Sequence, residues 1–201
     1  MGNKGELEGG GVCNVIVTTV ARCLPNIKAR VRAMVDAASI PRNSAGNEYK
    51  YETTMTPQQR ARTCADLMWS TDRASQALGM AITAIGPGTA TLTMPVRDDM
   101  LNGHGICHGG MIFTLADSAF AFACNTYNQL TVAHSNQITY LAPGKPGDTL
   151  TARASEVARV GRSGTYDVVV TDSDGQDIAL FRGLSRTIQG QHFDEDASLK
   201  T

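Results

Sequence analysis

The segment that decides the fold is NGHGICHGGMIFTLADSAFAFAC, residues 102–124. Its first half is rich in glycine and contains two of the four histidines of the chain. Its second half, residues 111–124, is apolar on nearly every face when drawn as a helix, and a helix of that kind is buried. Asp117 is the only formal charge in it. Because a buried carboxylate is costly unless it is protonated or finds donors, Asp117 is a candidate functional residue. The alternative is a structural role, in which Asp117 caps a neighbouring loop or faces a polar seam.

The composition is that of a soluble globular protein: 201 residues, of which 42% are hydrophobic and 18% are charged. A net charge of −1 provides no basic field for nucleic acid. The five cysteines form no CxxC pair, which indicates reduced thiols in a cytoplasmic protein rather than a disulfide framework. No run of 18 apolar residues is present, so neither a transmembrane helix nor a membrane partner is predicted.

The chain divides into three parts by composition. Residues 1–54 do not resemble the rest, and we interpret them as an extension that is poorly ordered or translated from an upstream start codon. Met55 would be a sensible native first residue. Residues 55–190 are predicted to form one domain, and residues 191–201 a polar tail that is frayed.

The pattern of elements predicts an α+β fold. Thr56, Pro57 and Gln59 form a capping box that starts a helix extending to about Thr71. A hairpin and four later strands are predicted on either side of the buried helix, over residues 79–85, 90–96, 132–141, 149–160, 166–172 and 178–188. Strands grouped apart from helices favour an antiparallel sheet, which here would wrap around the one long buried helix.

Three segments together, NGHGICHGGMIFTLADSAFAFACN, ITYLAPGKPGDTLTA and IALFRGLSRTIQG, resemble the hotdog-fold acyl-CoA thioesterases, in particular the PaaI type of bacterial phenylacetate degradation. The likeness covers roughly residues 55–190. It implies a sheet wrapped around the helix and dimers that pair into homotetramers. It also implies hydrolysis of phenylacetyl-CoA and hydroxyphenylacetyl-CoA to free acid and CoA in phenylacetate catabolism, without a cofactor.

The resemblance further implies roles for individual residues. The family's acidic residue corresponds to Asp117, its carbonyl-polarising amide to Gly109, which follows His108, and its loop asparagine to Asn102. Some relatives place a water-orienting serine on the strand after the helix. That position falls near an alanine here, Ala133, and the neighbouring Ser135 or Asn136 could substitute for the serine.

The same chemistry can be argued from the residues alone. Gly109 and Gly110 lie at the start of the buried helix, where free N–H groups and the helix dipole attract negative charge. That is the requirement for an oxyanion site in acyl transfer. Asp117 could act as a base on water, or attack the thioester to form a mixed anhydride, and the sequence does not choose between these.

The spacing of these residues predicts a site shared between subunits. Gly109 and Asp117 are eight residues apart, which is ~12 Å along one helix. Both cannot reach the same thioester carbon, so two antiparallel helices of a dimer should form each site. The partners expected are therefore acyl-CoA and further copies of the chain.

The remaining histidines and cysteines offer weaker candidates. His104 and His108 have the spacing of a metal pair, but the glycines around them favour a loop, and no metal is predicted. His108 could instead hold the loop or orient substrate. His134 is interpreted as a packing or pocket residue, His192 as a residue without a role, and Cys107 as a nucleophile only in a low-pKa setting that is not evident.

Binding of the substrate requires cations for the CoA phosphates and a pocket for the acyl group. Arg159 and Arg162, which flank Gly161, are the candidates for the phosphates, with Arg182 behind them. The alternative is that they are solvated hairpin charges. The candidates for the acyl pocket, each of which could instead be core, are Phe113, Phe120 and Tyr140.

Other functions remain open from the sequence. The site could serve other medium-chain or aromatic acyl-CoAs. A hotdog dehydratase would pair a histidine with a carboxylate, for which His108 and Asp117 of two subunits are available. A non-catalytic acyl-CoA-binding sensor is a further alternative, although residues 1–54 show no helix-turn-helix pattern.

Overall fold

The computed structural model describes residues 55–195. The interpretation of residues 1–54 as an extension concerns residues outside the described ones, as does that of the tail beyond residue 195. The first helix, α1, spans Pro57–Thr71. The Thr56 hydroxyl accepts from the Gln59 amide, and the Gln59 side chain accepts from the Thr56 amide at 2.9 Å. The predicted capping box is therefore confirmed.

The other elements follow the predicted order, with one short helix added. Helix α2 spans Arg73–Ala77 and is capped by Asp72, which accepts from the Ser75 amide at 3.0 Å. The remaining elements are β1 (Ala81–Gly86), β2 (Thr89–Pro95), a 3₁₀ turn (Asp98–Met100), α3 (Gly109–Cys124), β3 (Thr131–Tyr140), β4 (Thr149–Val160), β5 (Ser163–Thr171) and β6 (Asp177–Thr187). None of the helices within residues 55–195 has the length and apolar character needed to cross a membrane.

Within residues 55–195 the strands form one antiparallel sheet of six, in the order β1-β2-β4-β5-β6-β3. Helix α3 packs against all six strands, so the sheet curves around it. The strand residues that face the helix are fully buried, among them Leu92, Met94, Leu150, Ala152, Val168 and Val170. The predicted α+β fold, a sheet wrapped around one buried helix, is confirmed.

Close approach of α3 to the sheet depends on a glycine. A Cβ added to Gly183 of β6 would lie 2.8 Å from the ring of Phe120, a contact that side chains do not tolerate. Phe120 is fully buried and also packs against Tyr166 and Phe181. At this position the Phe120 ring of α3 therefore packs directly against the backbone of β6.

A register shift in β3 determines which side chains of that strand meet α3. The shift lies between Ala133 and Ser135, where β3 pairs with β6. After it, Asn136 and Tyr140 hydrogen-bond to the helix, and Ile138 between them packs against the core. This alternation brings β3 into the candidate active site.

The first residues of the tail are held in place. The side chain of Asn128, a buried residue with φ of 57°, accepts from the His192 amide at 3.0 Å. Arg60 of α1 pairs with Glu195, with 2.9 Å between Nη2 and Oε2. The tail is polar as predicted, but residues 191–195 are not frayed, because their backbone and charged groups find partners on the domain.

Candidate active site

The glycine-rich segment before α3 is fixed on both sides by backbone hydrogen bonds. The Cys107 amide donates to the Gly144 carbonyl at 2.9 Å, and the His108 amide donates to the Met100 carbonyl at 2.8 Å. A bridge between Leu101 and Cys107 closes the loop at its base. The start of α3 is therefore placed firmly, as an oxyanion site requires.

Asn102 organises that loop with its side chain. Its Oδ1 accepts from the His104 amide at 2.9 Å and, more weakly, from the Ile106 amide at 3.5 Å. Gly105 has φ of 72°, which a residue with a side chain rarely adopts. The Nδ2 group of Asn102 has no acceptor in the described part of the chain, so it remains available to a substrate.

The first turn of α3 contains one uncommitted amide. His108 is the N-cap residue, and its Nδ1 accepts from the Gly110 amide at 2.9 Å. The Met111 amide donates to the His108 carbonyl at 2.8 Å. The Gly109 amide has no acceptor among residues 55–195. Of the two predicted glycine donors, Gly110 is therefore engaged in the cap, and Gly109 is the one free to bind an anion.

An apolar cavity of about 470 Å³ lies beside Gly109. Tyr140 forms one wall, and its hydroxyl donates to the Gly109 carbonyl at 2.8 Å. A Cβ on residue 109 would lie 3.0 Å from that ring, a tight contact that requires the ring to move by a few tenths of an ångström. The structure thus brings together three predicted residues, Asn102, Gly109 and Tyr140, with apolar neighbours that include Ile106, Ile112 and Leu141.

Asp117 lies further along α3 and does not line this cavity. It is half-buried, and its Oδ1 accepts from Asn136 Nδ2 at 2.7 Å. Burial raises the pKa of the Asp117 carboxyl, and the hydrogen bond from Asn136 opposes that rise. Gly109 and Asp117 are part of one continuous helix, so their separation is the ~12 Å expected from helix geometry.

The predicted aromatic residues separate into two groups. Tyr140 lines the cavity, whereas Phe113 packs edge-on against Phe181, with 5.5 Å between ring centroids. Phe120 is fully buried beside Tyr166. Phe120 therefore lies in the core, whereas Phe113 is only partly buried and packs against the core, and neither lines the cavity beside the Gly109 amide.

The predicted arginines lie away from the cavity. The Arg159 guanidinium sits 3.8 Å from the ring centroid of Tyr127 and 3.7 Å from Glu156. Arg162 donates to the last carbonyl of β6 at 3.0 Å. Both belong to the β4–β5 hairpin, which meets the segment that follows the C-terminal end of α3. Arg182 is paired through two hydrogen bonds with a carboxylate on β5.

The other histidines and Cys107 lack the surroundings expected of catalytic groups. Burial raises the pKa of the Cys107 thiol, which disfavours the reactive thiolate. His104 and His134 are exposed. His192, expected to have no role, has Nε2 2.8 Å from the Asn125 Oδ1, and burial lowers its pKa. Residues 55–195 contain no group of three His, Cys, Asp or Glu side chains arranged to hold a metal ion.

Asn136, which the sequence suggested only as a possible substitute for a serine, is the β3 residue that contacts Asp117. Ala133 and Ser135, its competitors for that position, are exposed. The signal that distinguishes Asn136 is its two-residue spacing from Ile138 and its four-residue spacing from Tyr140 on one face of β3. The register shift before it could not be predicted from the pattern.

The two groups needed to hydrolyse an activated acyl group are both present. A free amide at a helix N-terminus can stabilise an oxyanion, and a half-buried carboxylate can activate water or attack the acyl carbon. A sheet wrapped around the helix that carries both groups defines the protein as a hydrolase of the hotdog type.

Comparison with known proteins agrees with that class. The sequence matches the family described as the thioesterase superfamily over residues 104–179. It is 44% identical over 126 residues to the acyl-coenzyme A thioesterase PaaI of Escherichia coli K12, a match that covers 63% of this chain and 90% of that protein. The solved structure of E. coli PaaI matches with a TM-score of 0.67 at 41% identity and covers 68% of this chain and 99% of that one. A Streptococcus mutans protein determined with acetyl-CoA bound matches with a TM-score of 0.54 at 28% identity, over 56% of this chain and 90% of that one.

The chain belongs to the thioesterase superfamily and, within it, to the PaaI-type acyl-CoA thioesterases with the hotdog fold. The family that the three sequence segments indicated is therefore confirmed.

Proposed function

We propose that the protein hydrolyses phenylacetyl-CoA and hydroxyphenylacetyl-CoA to the free acid and CoA, in the cytoplasm and without a cofactor. The observation that carries the proposal is the uncommitted Gly109 amide at the wall of an apolar cavity. The E. coli relative, described as part of the phenylacetic acid degradation operon, supports the aryl-acetyl class of substrate.

Gly109 supplies the electrophilic half of the mechanism. The thioester carbonyl oxygen accepts a hydrogen bond from the Gly109 amide, and the N-terminal end of the α3 dipole adds to the attraction. The absence of a Cβ at Gly109 leaves the backbone accessible beside the Tyr140 ring. Negative charge that develops on the carbonyl oxygen is thus stabilised by a group that is already in position.

Asp117 supplies the nucleophilic half. Because burial raises its pKa, the carboxylate is a stronger base than an exposed aspartate. Because a thioester has a good leaving group, one base and one polarising amide are sufficient for its hydrolysis. Asn102, with its free Nδ2, and His108, which caps the helix, hold the loop that surrounds the thioester.

Each site is shared between two chains, and the dimers pair into a homotetramer. The ~12 Å between Gly109 and Asp117 prevents one chain from supplying both groups to one carbonyl carbon. Strand β3 lies at an edge of the sheet and is largely exposed. An edge of this kind pairs readily with a second copy.

The contacts of β3 specify how such pairing would complete the site. Asn136 contacts Asp117, and Tyr140 contacts Gly109. Antiparallel pairing of β3 with its own copy, centred near Ile138, sets Asn136 of one chain opposite Tyr140 of the other. Asp117 of one chain is thereby brought toward Gly109 of its partner.

The arginines of the β4–β5 hairpin bind the CoA phosphates in this proposal. Arg159 and Arg162 lie beyond the C-terminal end of α3, which is the end that an antiparallel partner presents to the Gly109 cavity. Phe113, half-buried on α3 between Gly109 and Asp117, contributes to the acyl pocket together with Gly110 and Tyr140.

Release of free thiol from a panel of CoA esters tests the proposed substrate. We expect the kcat/KM for phenylacetyl-CoA and hydroxyphenylacetyl-CoA to exceed that for acetyl-CoA and palmitoyl-CoA by at least about tenfold, since an aryl group fills an apolar cavity that a short chain leaves empty and a long chain overruns. Benzoyl-CoA, one methylene shorter, separates ring recognition from chain length.

Two results would contradict the proposal at different levels. A preference for medium-chain or other aromatic esters would retain the thioesterase and remove the phenylacetate assignment. No thiol release from any ester would favour a dehydratase or a non-catalytic acyl-CoA sensor. The dehydratase has less support, because His108 Nδ1 is occupied by the helix cap.

A further inference from the structure

Tyr140 makes a contact with α3 that the helix itself does not require. It is the last residue of β3 and is half-exposed, yet its hydroxyl reaches the first carbonyl of the helix, that of Gly109, at 2.8 Å. In an α-helix that carbonyl also faces the amide four residues further on, here that of Phe113. The Tyr140 hydroxyl is therefore an additional donor, which the strand supplies at the point where the uncommitted amide lies.

The peptide group between Gly109 and Gly110 is consequently held at both ends. Its carbonyl oxygen accepts from the Tyr140 hydroxyl at 2.8 Å, and its N–H donates to His108 Nδ1 at 2.9 Å. Two successive glycines would otherwise give this turn more backbone freedom than residues with side chains have. The two hydrogen bonds limit that freedom directly beside the amide that faces the cavity.

The peptide group on the other side of Gly109 is held as well. It consists of the His108 carbonyl, which accepts from the Met111 amide at 2.8 Å, and the Gly109 N–H. The direction of that N–H thus depends on the groups that hold both neighbouring peptides, and among these Tyr140 is the one that comes from another element of the fold. Burial raises the pKa of the Tyr140 phenol, so its hydroxyl stays protonated and remains a donor near neutral pH.

We propose that Tyr140 is a positioning residue for the oxyanion site, whose hydroxyl holds the Gly109–Gly110 peptide so that the Gly109 amide points at the thioester carbonyl oxygen. The inference rests on the proposed thioesterase function. A donor stabilises the developing charge best when it is already oriented, because turning it during the reaction would cost free energy. Tyr140 acts through Gly109 in this role and donates no hydrogen bond to the reacting atoms.

The Tyr140 contact also relates the two halves of the proposed shared site. Strand β3 contacts Gly109 through the Tyr140 hydroxyl. The same strand contacts Asp117 through the side chain of Asn136. When β3 pairs with its own copy, the strand therefore determines the distance between the amide of one chain and the carboxylate of the other. Loss of the Tyr140 hydroxyl releases the amide from the strand while the carboxylate keeps its contact.

The test removes the hydroxyl and keeps the ring. Phenylalanine at position 140 leaves the wall of the cavity in place and deletes the donor. Thr139 is the adjacent residue, exposed on the opposite face of β3, so T139V removes a hydroxyl away from the cavity. We expect Y140F to lower kcat for the preferred ester by about 3–10-fold, the effect of one neutral hydrogen bond, with KM within about twofold. T139V should retain the wild-type kcat and KM.

A spectroscopic measurement determines whether the hydroxyl acts through the amide. D117N should bind the preferred ester and turn it over only slowly, so an ester labelled with ¹³C at its thioester carbonyl reports the hydrogen bond that this carbonyl accepts. G109P/D117N, which lacks the Gly109 N–H, gives the carbonyl stretching frequency without that bond. The frequency in Y140F/D117N should lie between those of D117N and G109P/D117N. Because a bound ester stabilises the folded chain, the comparison also applies if Y140F is less stable than the wild type.

Three results would overturn the inference, at two levels. A Y140F kcat within about 1.5-fold of the wild type, with the carbonyl frequency unmoved, would remove the role of Tyr140 and leave the thioesterase intact. A lower kcat with an unmoved frequency would do the same, because the loss would then not come from the hydrogen bond to the carbonyl. A wild-type protein that releases no thiol from any ester would overturn both the role of Tyr140 and the proposed function.

Discussion

Replacing Asp117 with asparagine should lower kcat for thiol release by about 10²–10⁴-fold, the contribution expected of a positioned general base. Asparagine has the same shape and can keep the hydrogen bond to Asn136 with its amide carbonyl. KM should therefore change little. The measurement is steady-state thiol release from the preferred ester over a range of pH.

The same substitution should not destabilise the fold. Burial raises the Asp117 pKa in the folded chain above its unfolded value. The folded state then binds that proton more tightly than the unfolded state, so the wild type loses stability as pH rises through the interval between the two values. Asparagine does not ionise, and D117N should melt at the same or a higher temperature than the wild type above that interval.

A matched control separates catalysis from charge removal. Asp66 lies on the exposed side of α1 and pairs with Arg62, so D66N makes the same chemical change far from α3. D66N should retain wild-type kcat. If folded D117N kept more than a tenth of kcat, the assignment of Asp117 would be wrong. A melting temperature below that of the wild type would contradict the expected effect on stability.

Replacing Gly109 with proline should lower kcat by about 10²–10³-fold, the loss seen when one oxyanion donor is removed. Proline lacks the N–H group, and Gly109 is the first residue of α3, the position at which a helix accepts proline. His108 has φ of −62° and ψ of 133°, within the range that a residue preceding proline adopts. The substitution therefore removes the donor while the helix can still form.

Alanine at the same position isolates the steric effect. G109A and G109P both introduce a Cβ, which would lie 3.0 Å from the Tyr140 ring, but only G109A keeps the amide hydrogen. G109P should be at least about tenfold slower than G109A in kcat. Equal losses in the two variants would show that crowding of Tyr140, rather than loss of the amide, is responsible.

Much of the fold could be predicted because it follows from residue patterns within short segments of the chain. The apolar residues on all faces of α3 require a surrounding sheet, and the capping box at Thr56 fixes the start of α1. The β4 bounds were predicted as observed, because its side chains alternate cleanly. Strand β5 starts at Ser163, earlier than predicted, because Gly161 with φ of 59° turns the chain within fewer residues.

Features that depend on distant contacts could not be predicted. The tail was expected to fray because it is polar. Its hydrogen bond to Asn128 depends on the left-handed backbone conformation of that residue, which cannot be predicted from the sequence pattern. Helix α2 has five residues, too few for a periodic pattern.

The candidate site divides in the same way. Gly109 and Asp117 could be identified from their place in one apolar helix. Three other features depend on how the loop and β3 pack against α3. They are the hydrogen bond from the Gly110 amide to His108, the burial of Phe120 and the hydrogen bond from Asn136 to Asp117. Side-chain partners across the fold have no signature in residue spacing.

In the proposed dimer, Gly109 and Asp117 of different chains act on one thioester. The most direct measurement is thiol release by G109P and D117N chains produced together, with different affinity tags so that mixed oligomers can be isolated. A mixed dimer has one site with both defects and one site with neither. With free assortment, half of the dimers are mixed, so about one quarter of the wild-type activity should return before isolation, although each variant alone is nearly inactive. The isolated mixed dimers should reach about one half of the wild-type activity. If mixed oligomers form and release thiol no faster than the two variants alone, both groups act within one chain and the shared site is wrong.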